Sequence, residues 1–93
     1  MRNTRRKDLD AWAVLLDVTN DRDAAARLRI WHARLLVLAT DLNWFQNKLR
    51  SSGALGGDDV LVSLNDAARD TLDAADELWQ LRRAFERHER GVA

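Results

Sequence analysis

The stretch that decides the fold is residues 24–49, AAARLRIWHARLLVLATDLNWFQNKL. Within it Ala24, Leu28, Trp31, Leu35, Leu38, Leu42, Phe45 and Leu49 recur at alternating steps of four and three. That spacing keeps an apolar line on one face of an α-helix, with leucine at every position of one type (28, 35, 42, 49). A helix over 21–50 is therefore predicted. Asn20 is placed to cap it, Asp21 and Asp23 stand in its first turn, and Lys48 and Arg50 stand in its last, as the helix dipole favours.

Downstream, residues 51–59 (SSGALGGDD) hold three of the four glycines and read as a loop, with Gly53 free to take a left-handed conformation at the helix end. A further helix is predicted over 63–90, with Ser63 and Asp66 resembling a capping box. Its apolar line is Leu64, Ala67, Thr71, Ala74, Leu78, Leu81 and Phe85, preceded in phase by Val60. Upstream, Leu9, Trp12, Ala13 and Leu16 share one face of a short helix over 8–18, after a basic arm at 1–7.

These elements predict a single all-α domain over 1–93: a short N-terminal helix plus a long antiparallel helical hairpin, dimerising into a helical bundle. Folded about the loop, Leu49 meets Val60, Phe45 meets Leu64, Leu42 meets Ala67, Leu38 meets Thr71 and Trp31 meets Leu78. Several of these rungs set a large residue against a small one, as close packing requires.

The central helix carries a second apolar stripe of Ile30, Ala33, Val37 and Trp44, with Leu36 beside it. It lies roughly 130° around the helix from the seam, beyond the reach of the last helix. The first helix spans about 17 Å against about 40 Å for each long one, so it cannot cover the whole stripe. Ile30, Leu36, Val37 and Trp44 are therefore the expected interface with a second copy or another partner; the alternative is that the N-terminal helix and the loop, through Leu55 and Val62, fold over this patch and complete a private core.

Fifteen basic and fifteen acidic residues cancel, which argues against a general electrostatic nucleic-acid binder. The charges are nevertheless sorted. Residues 1–34 and 77–93 carry 12 basic and 8 acidic groups, whereas residues 35–76 carry 3 basic and 7 acidic. Asp66, Asp70, Asp73 and Glu77, with Asp76 adjacent, form an acidic helix face that could meet a basic partner; the simpler account is a solvated face. Arg82, Arg83, Arg87 and Arg90 form a basic surface at the other end, with Glu86 and Glu89 interleaved. A phosphate-contacting role there is the alternative reading.

Chemistry-bearing patterns are scarce. There is no cysteine, hence neither disulfide nor thiolate chemistry, which fits a reducing, cytoplasmic setting. His32 and His88 belong to no ligand motif, and the glycines of the loop lack the Lys-Ser/Thr of a phosphate-binding loop. The carboxylates of the acidic helix face lie on a helix surface expected to be exposed, which offers no enclosed site for acid–base catalysis. No catalytic residue, cofactor or metal is expected. Neither a cleavable signal nor an apolar run of membrane-spanning length is evident.

Secreted hairpins of the WXG type share this size, but here Trp44-Phe45-Gln46 falls within a helix and the turn is rich in glycine and serine. In its small size and all-helical character the chain resembles phage and mobile-element proteins, including all-helical anti-CRISPR inhibitors. That resemblance implies a dimer that blocks one host complex. The expectation is thus a non-enzymatic helical interaction protein. It would bind itself and a larger protein or nucleoprotein complex, which it regulates or inhibits.

Overall fold

The computed structural model describes residues 5–53 and 56–89. They form three helices, α1 (Arg6–Leu15), α2 (Asp21–Ser52) and α3 (Gly57–Glu89), with no strand among the described residues. The all-α expectation holds. Leu55, Arg90 and the first residues of the basic arm lie outside the described residues.

The helix ends differ from the predicted ones for local reasons. α1 starts within the expected arm, where Arg6 pairs with Asp10 one turn on and with Asp21 at 2.7 Å. Asp21 chiefly, and Asp10 next, raise the guanidinium pKa further above its ordinary value. α1 stops three residues early, because Asp17 takes a left-handed φ of 57°. The Asp17 and Val18 amides then donate back to the carbonyls of Val14 and Ala13 at 3.1 Å, closing a Schellman cap. Asn20 caps α2 as expected, its Oδ1 accepting the Asp23 amide at 2.8 Å. α2 runs on to Ser52, its last hydroxyls donating to the carbonyls of Asn47 and Leu49, and Gly53 follows with φ 63°. α3 begins at Gly57, six residues before Ser63, since Gly56 makes the turn at φ 75° and Asp58 and Asp59 supply the acidic first turn.

The chain divides into two compact units, one of residues 1–32 and 76–93, the other of residues 33–75. In the first, α1 joins the start of α2 and the end of α3 around Leu9, Ala24, Ala25, Leu28, Ala84 and Phe85, with Leu16, Val18, Leu78 and Leu81 packed against them. Leu9, Leu28 and Phe85 are its largest fully buried side chains. Arg22 of α2 meets Glu89 of α3 at 3.0 Å on the outside, an exposed pair worth little.

In the second unit α2 and α3 run in opposite directions on either side of the turn. Ala39, Ala68 and Ala75 are buried, and Leu35, Leu42, Leu49, Leu61, Leu64 and Thr71 are half-buried around them. Gln46 lies among them, only 7% exposed, its Nε2 donating to the Leu61 carbonyl at 3.5 Å.

This corrects half of the predicted seam. Leu38 and Phe45 are each 47% exposed and Val60 is 45% exposed, while Ala67 and Ala74 also face outward. The leucine line at 35, 42 and 49 does face α3, but its companion line is Ala39 and Gln46. α2 is thereby turned by about half of one residue's 100° step relative to the expected contact. The physical reason is size. Ala39, Ala68 and Ala75 let two backbones approach closely, which Leu38 and Phe45 in the same gap would prevent.

Candidate interaction surfaces

The second unit leaves most of its large apolar side chains in solvent. Trp44, 61% exposed, and Val37 occupy the side of α2 turned away from α3. Lys48 sits one turn beyond Trp44, its Nζ 5.5 Å from the ring centroid, so the indole face is shared with a cation. Leu36 is exposed on one flank of α2, and Leu38 and Phe45 on the other. On α3, Val60, Val62 and Leu72 are exposed. Ile30, in the first unit, is exposed as well. All four apolar residues singled out from the sequence are thus accessible.

Sequence reasoning missed Leu38, Phe45 and Val60 as surface residues, having placed them in the seam. The signal available was the alternative heptad line of Ala39, Gln46, Ala68 and Ala75. Three of its members are small, and the fourth can bond to a main-chain oxygen.

The acidic residues are also solvated. Asp66, Asp70 and Asp73 are exposed on α3 of the second unit, with Arg69 only 4.0 Å from Asp66. Asp76 and Glu77 are exposed on α3 of the first unit.

The arginines at the end of α3 are more engaged than the sequence suggested. Arg82 is half-buried, and its Nε stands 3.2 Å from Oε1 of Glu86. Neither atom has a well-directed hydrogen bond, so the pairing is by charge and proximity. Arg83 lies over the Trp79 ring at 5.0 Å. Arg87 is half-buried, and Arg90 lies outside the described residues. A shallow cleft in this unit, floored by Ala25 and Ala26, is walled by Arg22, Arg29, Glu86 and Glu89, whose charges cancel.

His32 and His88 are both half-buried. Among the described residues no group of three or more histidine, cysteine or carboxylate side chains is placed to hold a metal ion, and no helix is long and apolar enough to cross a membrane. No protein-family model, curated protein or solved structure matches the chain.

Proposed function

We propose that this chain is a non-enzymatic helical interaction protein of the cytoplasm that binds itself and a larger macromolecular complex, which it regulates or inhibits. The observation that carries the reading is the set of large apolar residues on the second unit that stand between 41% and 63% exposed, Trp44 at 61% among them. Small domains rarely keep contiguous apolar surface in water without a partner to cover it. Tryptophan is also the side chain most often found at the energetic centre of protein interfaces. The acidic residues of α3 add a surface suited to a basic partner. The arginine-rich end supports nucleic-acid binding less well, since Arg82 is held by Glu86, Arg83 lies on Trp79 and Arg22 meets Glu89.

The test is a comparison of tagged wild-type protein with Trp44→Asp and Asp70→Lys variants, each used to capture partners from the native host. A discrete complex held by the wild type and lost by one of the two variants supports the reading. Identical recoveries from all three, or salt-sensitive retention on DNA that neither variant alters, overturns it.

A further inference from the structure

The exposed residues of the second unit are not scattered. Leu38 and Phe45 are seven apart on α2, and Val60, Ala67 and Ala74 are spaced by sevens on α3. Each set sits about 80° from the line of contact between the helices, in the same rotational sense. In two antiparallel helices, equal rotations place residues on the same side. The five side chains therefore make one apolar face spanning both helices.

The first unit shows what such a line accepts. Ala24 is in the heptad phase of Leu38 and Phe45, and Leu81 in that of Val60 and Ala67. Ala24 is fully buried and Leu81 half-buried in the cluster that α1 completes through Leu9. At Ala24 and Leu81 the position is packed into that cluster; at Trp31, in the same phase, and throughout the second unit it is open.

We propose that the occupant is a second copy of this chain, seated face to face so that α2 of one lies over α3 of the other and the two second units close a four-helix bundle. This rests on the reading of the chain as an interaction protein and names its partner and contact. Two observations select the occupant. The first is charge. The outer border of the face on α2 carries Arg34 and Lys48 about Asp41, while the border on α3 carries Asp70 and Ser63. Placing α2 over the other copy's α3 sets the more basic border on the acidic one; placing like helices together, which a face-to-face two-fold makes antiparallel, sets each border against its own kind, basic on basic and acidic on acidic. Counted from the Gln46–Leu61 bond, Asp70 is level with Val37, one turn from Arg34, so the two can meet across the interface. The second is area. The α2 part of this unit is about 30 Å long, and two helices side by side are about 20 Å wide. The face then offers about 600 Å² per copy, or about 1,200 Å² buried in total, the lower end of specific interfaces.

Sedimentation equilibrium of the full chain across the micromolar range tests this, with circular dichroism to verify that each variant stays helical. The wild type is expected to be dimeric, and Phe45→Asp to weaken the dimer about thirtyfold or more without loss of helix. Arg34→Glu and Asp70→Arg should each weaken it roughly fivefold to tenfold, and the double exchange should restore it. A wild type that stays monomeric overturns the inference, while leaving capture of another partner through Trp44 to its own test. A dimer indifferent to Phe45→Asp and broken by Trp44→Asp overturns it too, moving self-association to the far side of α2. Failure of the double exchange to restore the dimer overturns the α2-over-α3 arrangement.

Discussion

Gln46 donates from Nε2 to the main-chain oxygen of Leu61 at 3.5 Å, bridging α2 and α3 with the one buried polar side chain among the described residues. The bond is long, and the carbonyl it reaches lies in a helix interior, where the main chain already supplies a donor. Gln46→Leu removes the desolvation of an amide at little loss of bonding. It is expected to stabilise the protein by about 0.5–1 kcal/mol and to raise Tm by about 2–8 °C. A fall in Tm in thermal melts would show that the amide is worth more than its geometry suggests.

The two phenylalanines should respond in opposite ways. Phe85 is fully buried beside Leu9 and Leu28, so Phe85→Ala leaves a cavity costing about 3–5 kcal/mol. Phe45 already meets solvent, and Phe45→Ala should cost under about 1 kcal/mol to the monomer. Urea denaturation at low protein concentration compares them directly. Equal losses would restore Phe45 to the seam.

Asn20 accepts the Asp23 amide at 2.8 Å and donates to the Asp23 carboxylate at 2.9 Å. Asn20→Ala leaves the start of α2 uncapped, and about 1 kcal/mol of stability should go with it. Asn20→Ser, which keeps an acceptor at the cap, should recover most of that loss in the same melts.

Glycine substitutions in the turn should split by backbone conformation. A Cβ at Gly53 or Gly56 meets nothing within 4 Å, so the cost of alanine there is conformational alone, about 1–2 kcal/mol at a left-handed φ. At Gly57, where a Cβ would touch Leu49 at 3.7 Å in ordinary contact, Gly57→Ala should be neutral or stabilising by up to about 1 kcal/mol. A stabilised Gly53→Ala would contradict the assigned turn.

Helix identity was legible because the four-three spacing of leucines has no strand equivalent, and Asn20 and Gly53 mark ends by their own chemistry. The face of α2 that meets α3 was only half legible. Leu35, Leu42 and Leu49 belong to two overlapping heptad seams, and hydrophobicity favours the wrong one, with Leu38 and Phe45. Ala39, Ala68 and Ala75 win because dispersion depends on how near two backbones can come, and a count of apolar residues does not register distance. Asp17 as the cap of α1 was unreadable for a related reason. Aspartate only tolerates the left-handed region, so the sequence carries no glycine to announce the stop. The engagement of Arg82 was hidden as well. That Glu86 follows four residues on was visible, but that both would be partly enclosed depends on the packing around them.

None of the four tryptophans is buried: Trp12, Trp31 and Trp44 are exposed, and Trp79 is half-buried beneath Arg83, while the interior is built of leucine, alanine and phenylalanine. The intrinsic emission of this protein consequently reports its exterior. Denaturation should redden the spectrum less than in proteins with buried indoles, and quenchers should reach Trp44 in the native state. A shift to the blue, in most proteins the signature of chain collapse, would here signal that something has settled onto the outside.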